Sequence, residues 1–156
     1  LYSGTVMATL QGYFRRIPSI AVSLATNGLL DELRFDVAAL VAESVAIGIQ
    51  EGELPTDAIF NINVPNVPWD KIKSILVTKT APTGYVNLLE KNPDGRYSFR
   101  VGKSVTQEMM EGTDIWAVES GYISVTPLRL EMNYYDMIPR LKASMGIIES
   151  KLMTRR

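Results

Sequence analysis

The sequence predicts an α/β fold, and three features carry that expectation. Residues Ile20-Ala21-Val22-Ser23-Leu24 form a short, nearly continuous apolar run bounded by Pro18 and Asn27-Gly28, the pattern of a strand buried on both faces of a parallel sheet. Helical patterns stand on either side of it, over residues 6–14 and 33–50. A second strand-like run over residues 58–65 follows the second helix, which completes the helix–strand alternation of an α/β layer. At 156 residues the chain is long enough for one sizeable core and is expected to be one domain.

Taken in order, the first helix has Ser3 or Thr5 as its candidate N-cap, with Gly4 permitting a tight entry. The second helix groups Val37, Leu40, Val41, Val45 and Ile49 on one side and is stopped by Gly52 and Pro55. In the next strand Phe60, Ile62 and Val64 alternate with Asn61 and Asn63, so one face is polar. Beyond Pro68 come short β-like runs at 74–79, 85–90, 97–101 and 122–126, with no helix expected between them. Asn92-Pro93-Asp94-Gly95 marks a hairpin turn, since Pro fixes one φ and Gly accepts a positive one. The last helix spans residues 136–153, with Asp136 as N-cap and Pro139 tolerated in the first turn. Its apolar positions Ile138, Leu141, Met145, Ile148 and Leu152 step by three and four residues and make a narrow seam. That seam suits packing on its own domain and exchange with a second subunit equally. The organisation read from the chain is an α/β core over 1–68, a β-rich hairpin extension and returning strand over 69–133, and a terminal helix over 134–156.

Composition excludes several chemistries. The apolar fraction of 46% and charged fraction of 21% are those of a globular chain rather than a disordered one. A net charge of −1, with no run of like charge beyond Arg155-Arg156, argues against polymeric nucleic acid or an anionic membrane as partner. The chain contains no Cys and no His, so it cannot build a Ser-His-Asp triad, a Cys-His pair or the usual zinc set, and any metal must be a hard, oxygen-liganded ion. Apolar stretches are far too short to span a bilayer and no signal peptide is visible; the expected location is the cytoplasm.

One motif points to chemistry. Ser3-Gly4-Thr5 at the start of a helix places two hydroxyls and several unpaired backbone N–H groups at the positive end of the helix dipole, the physical requirement for holding a phosphate. Taken alone, the same residues are an ordinary cap. The segment Tyr2-Ser3-Gly4-Thr5-Val6 resembles the YSGTV motif of the SurE survival-protein family, and Ile20 to Leu24 is similar to that family's next strand. Leu54-Pro55 with Phe60-Asn61-Ile62-Asn63-Val64-Pro65 resembles its LP-to-NVNVP segment. Gly112-Thr113-Asp114 with Gly121-Tyr122-Ile123-Ser124-Val125-Thr126-Pro127-Leu128 resembles its GTD and GYVSVTPL segments, in the same order along the chain.

The resemblance implies a three-layer Rossmann-like α/β fold of SurE type, here partial with N-terminal strands missing, carrying a β-hairpin extension and a C-terminal helix exchanged between subunits. It implies hydrolysis of nucleoside 5′- or 3′-monophosphates, and in some members short polyphosphate, with one divalent metal ion, manganese or magnesium, per subunit of a homodimer or homotetramer. The family's metal ligands, an Asp-Asp pair, a Ser and an Asn, have no counterpart in the chain and are expected upstream of Leu1. What carries over is the phosphate pocket: Ser3, Gly4 and Thr5. With its first strands missing, the sheet is expected to expose an edge and to be poorly soluble alone. A non-catalytic oligomerisation or interaction module is the alternative reading for a chain without metal ligands.

Other candidates have plainer roles. Asn61 and Asn63 are expected to make sheet-to-loop hydrogen bonds, Asp114 to organise a turn, and Arg15 and Arg16 to complement the helix dipole. Tyr85, Tyr97 and Phe99 are expected in cross-strand packing rather than stacked on a base. The hairpin departs from the family's DPRGRPYYWIGG pattern, with Arg100 where Trp is usual, which puts its tip in doubt as a stacking platform.

Overall fold

The computed structural model describes residues 3–26, 32–82, 85–103 and 110–154, the side chains of 85–89 and 99–103 excepted. The helices are α1 (Gly4–Tyr13), α2 (Phe35–Gln50), α3 (Asp114–Glu119) and α4 (Met137–Met153); the strands are β1 (Ser19–Ala25), β2 (Ile59–Pro65), β3 (Ile75–Val77), β4 (Tyr85–Lys91), β5 (Tyr97–Lys103) and β6 (Ile123–Leu128). The main sheet has the order β1-β2-β6-β3, and β4-β5 form a separate hairpin. β1 and β2 are parallel, β6 runs antiparallel to β2, and β3 is parallel to β6. The fold is thus mixed α/β, and β3 and β6 of the later, β-rich segment extend the same sheet as β1 and β2.

The core forms where α2 lies on one face of this sheet. Val37, Ala38 and Val41 pack on Phe60, Ile62, Val64 and Ile123, with Ile20, Val22, Leu24, Val45 and Ile49 at the margin. Ile62, Val64 and Ile123 are completely buried, and each contributes about 1.5–3 kcal/mol by leaving water. Leu40, expected among the buried positions of α2, is 47% exposed: it sits about 120° around the helix from the centre of the buried stripe, and Ala38 takes its place.

β1 is less enclosed than its sequence suggests. Only Ala21 is fully buried and the other six residues are half-buried, because β1 stands at an edge of the described sheet, hydrogen-bonded to β2 alone. α1 covers β1 with a closely approaching turn; a Cβ on Gly12 would collide with Ser19 Oγ. The tight exit from α1 uses Arg16 at φ 58°.

α3 is a helix where none was expected between the β-runs. At six residues it is too short to show a helical period in the sequence, and it is fixed instead by its start: Thr113 Oγ1 accepts from Trp116 N at 3.4 Å while donating to Met110 O at 2.7 Å. Asp114, 9% exposed, accepts from Ala81 N and Ile115 N, each at 2.9 Å. It therefore ties α3 to the segment after β3, the turn-organising role expected of it. Behind it, Thr78 Oγ1 meets Ser124 Oγ at 2.8 Å and Thr126 Oγ1 at 2.7 Å in a buried hydroxyl chain.

The hairpin turn matches its sequence signal: Gly95 has φ 82° and Asn92 N donates to Arg96 O at 2.7 Å. α4 has no buried residue, and all five seam positions are exposed. Its lead-in is braced by Glu131, whose carboxylate accepts from Asn133 N at 2.9 Å and Tyr135 OH at 3.1 Å. Those two donors, the backbone one foremost, hold the Glu131 carboxyl below the usual glutamate range.

Three outcomes follow from this packing. In urea unfolding, Ile62→Ala lowers stability by about 2–5 kcal/mol as expected for a filled core site, whereas Leu40→Ala changes it by less than about 1 kcal/mol. Asp114→Ala leaves the Ala81 N–H without its acceptor and costs about 1–3 kcal/mol, read in the same assay. For Glu131 the depressed folded pKa means that the brace is present above the unfolded pKa and is lost as pH falls through the folded one. An NMR titration should place its midpoint below that of an ordinary glutamate, and Tyr135→Phe should move it upward.

Candidate functional site

α1 runs antiparallel to β1: Gly12 lies against Ser19 at one end, and Thr5, Ala8 and Val22 line the same open groove further along. The N-terminus of α1 therefore lies towards the carboxyl ends of β1 and β2, the side on which open α/β sheets bind ligands. Ser3, Gly4 and Thr5 are consecutive there and all exposed.

The local geometry follows from the capping chemistry. Ser3 is extended, at φ −80° and ψ 118°, and its Oγ accepts from Val6 N at 3.3 Å. Accepting that bond leaves the hydroxyl proton of Ser3 free to donate elsewhere. Among the described residues no acceptor takes the Gly4 or Thr5 N–H, so the first turn presents backbone donors as well as hydroxyls. A Cβ at Gly4 would meet nothing within 4 Å; the space above the turn is open to an anion. The arrangement can hold a phosphate dianion by hydrogen bonds and helix dipole. It contains no group placed to take a proton.

A second feature at this end of the sheet was missed by sequence reasoning. Asn66, directly after β2, accepts through Oδ1 from Arg34 N at 3.0 Å, joining the entry of α2 to the exit of β2. The available signal was an Asn at a strand end two residues before a Pro, where Asn side chains commonly bond backbone.

The remaining candidates fall away from the α1 terminus. Asn61 and Asn63 lie on the sheet face opposite the core, half-buried and paired across the ladder with Thr126 and Ser124. The sheet-to-loop hydrogen bonds expected of them are not formed among the described residues; the hydroxyls of Thr78, Ser124 and Thr126 satisfy one another instead. Arg15 bonds Gln11 O at 2.8 Å at the far end of α1, roughly 15 Å along a ten-residue helix from its start. Tyr97 is exposed and lies under Lys91 Nζ, 5.9 Å from the ring centroid, a cross-strand contact in the hairpin. The side chains of Tyr85, Phe99 and Arg100 lie outside the described residues.

No group of three or more acidic, His or Cys side chains able to hold a metal ion occurs among the described residues. Ser3, Gly4 and Thr5 supply hydrogen-bond donors, which suit an anion and not a cation. These residues do not by themselves fit the divalent ion that the family resemblance implies.

Comparison with known proteins identifies the family. The family described as "Survival protein SurE" matches residues 1–87. The "5'-nucleotidase SurE" of Stenotrophomonas maltophilia strain K279a is 32% identical over 155 residues, covering 97% of this chain and 60% of that protein. The protein of the same name from Halorhodospira halophila is 37% identical over 145 residues, covering 91% and 57%. The crystal structure of the SurE protein from Aquifex aeolicus superposes with a TM-score of 0.70 at 33% identity, over 91% of this chain and 57% of that one. The chain thus spans at most about 60% of the length of these relatives. With the matched segment running from the α1 terminus through β2 into β4, the chain belongs to the SurE survival-protein family.

Proposed function

We propose that the protein is a metal-dependent nucleotidase that hydrolyses nucleoside 5′-monophosphates, and 3′-monophosphates, to nucleoside and phosphate, with short polyphosphate as a further substrate. The observation that carries this reading is the open, donor-rich first turn of α1, lying within the segment that matches the SurE family. Relatives bearing the 5′-nucleotidase name, 32–37% identical over most of the chain, support it.

In this reading the phosphate sits on Ser3, Gly4 and Thr5. Their N–H and hydroxyl groups donate to its non-bridging oxygens and stabilise the charge that gathers there as the ester bond breaks. Water adds its oxygen to phosphorus and gives up a proton, the bond between phosphorus and the ester oxygen breaks, and the nucleoside leaves with that oxygen, which takes up a proton. A divalent ion, manganese or magnesium, would polarise the phosphate and activate the water; its ligands are not among the described residues. The proposed setting is the cytoplasm, in keeping with the lack, among the described residues, of a helix long and apolar enough to cross a membrane. The proposed assembly is a homodimer or homotetramer joined through α4.

The test is phosphate release from nucleoside 5′-monophosphates by the intact protein with added manganese. Ser3→Ala and Thr5→Ala should each lower kcat/KM by about 10- to 100-fold, the cost of one lost donor to a charged group, while Arg15→Ala leaves it unchanged. Silence of the intact protein with every monophosphate and metal would overturn the nucleotidase reading in favour of a non-catalytic interaction module.

A further inference from the structure

The sheet face away from α2 carries α1 and α3. α1 lies over β1 on the side of Ser19, whereas Ile20 and Val22 border the α2 core. α3 packs on β6 and β2; its Ala117 is completely buried and belongs to no part of that core, so α3 shares the face of α1. The register fixes which end is which. Asn63, near the end of β2, pairs with Ser124, near the start of β6. β6 therefore begins at the carboxyl end of β1 and β2, the end to which the first turn of α1 points. What stands at the start of β6 on this face lies two strands, about 10 Å, across the sheet from the candidate phosphate site.

An aromatic pair stands there. Tyr122, two residues before Ser124 and so on the same face, stacks on Trp116 of α3, with ring centroids 6.0 Å apart and planes 16° apart. Lys73 Nζ lies 5.1 Å from the Tyr122 ring centroid. Trp116 is half-buried and sits about 160° around the helix from Asp114. Because Asp114 turns to the segment after β3, through Ala81 N, Trp116 leans towards β2 and α1. β2 runs between β1 and β6, so Asn63 lies on the floor between the two helices, half-buried and with an amide that no described residue engages. One amide presents both donors and an acceptor. A flat aromatic surface beside a free amide, within a nucleoside's reach of an anion site, is the chemistry that receives a nucleoside: any base stacks on an aromatic face, and the amide bonds its polar groups.

We propose that Trp116, stacked on Tyr122, is the platform for the base of the nucleotide whose phosphate rests on the first turn of α1, with Asn63 hydrogen-bonding the nucleoside between them. The proposal rests on the nucleotidase reading above and adds a specificity subsite to it. Tyr122 and Lys73 act through Trp116: their stack fixes the indole, so little side-chain freedom is lost when a base arrives. Stacking is tolerant of base identity, since every base has a π-face. The subsite therefore separates nucleotides from phosphate esters that carry no base, rather than one nucleotide from another.

The test uses the intact protein with manganese, adenosine 5′-monophosphate as substrate and ribose 5-phosphate, the same ester without a base, as competitor. Trp116→Ala should raise KM for the nucleotide by about 10-fold or more, the loss of one stacking contact. Both kcat and the inhibition constant of ribose 5-phosphate should stay within about twofold, as when binding alone is lost. Trp116→Phe should restore most of the nucleotide's KM. A second readout is independent of catalysis: in a Trp69→Phe background Trp116 is the one tryptophan left in this chain, and adenosine should quench its fluorescence saturably, an effect that Trp116→Phe removes. Equal losses for the nucleotide and ribose 5-phosphate, or no rescue by Trp116→Phe, would show that Trp116 serves the fold alone and overturn the platform. Absence of quenching by both adenosine and the nucleotide would overturn it too. Quenching by adenosine in a protein that cleaves no phosphate ester would overturn the nucleotidase reading and uphold Trp116 as a nucleoside site.

Discussion

The main sheet of this chain depends on the burial of one of its faces beneath α2. Ile62, Val64 and Ile123 lose all contact with water only because Val37, Ala38 and Val41 descend on them, and that burial locks β1, β2 and β6 into one register. The directions of α1 and of the loops at the carboxyl ends of β1 and β2 follow from it. A single layer of aliphatic contacts thus decides where the α1 terminus can point.

The opposite sheet face is built on another principle. Its interior members Ser124, Thr126 and Thr78 are polar, buried and mutually hydrogen-bonded, and Asp114 adds two bonds to backbone N–H groups nearby. Buried hydroxyls cost little when each has a partner, and a network of them specifies register more strictly than apolar contacts do. The two faces together explain why β6 can sit antiparallel beside β2 without slipping: a shift of one residue would carry Ser124 into the core and Ile123 out of it.

The candidate site is modest in its parts and depends on what surrounds it. Three residues at a helix start hold a phosphate only if the helix is fixed, its first N–H groups remain unpaired and the space above them stays open. Gly12 against Ser19 fixes α1, Ser3 caps one amide and leaves others free, and Gly4 keeps the approach clear.

Much of the layout is legible in the residues alone. The apolar run at 20–24, the alternation at 58–65, the Asn92-to-Gly95 turn and the seam of α4 are local periodicities, and backbone chemistry turns each into its element directly. Ser3 as the N-cap and the family motifs around it are legible for the same reason: they are contiguous. What the tertiary structure alone decided concerns partners distant in sequence. The exposure of Leu40, the half-burial of β1 at a sheet edge, the hydroxyl chain from Thr78 to Ser124 and Thr126, and the bond from Arg34 to Asn66 each depend on which elements become neighbours. α3 was hidden because six residues are fewer than two helical turns, so no period can show. Local sequence determines what each segment can be, whereas burial is shared between segments and is settled only when they meet.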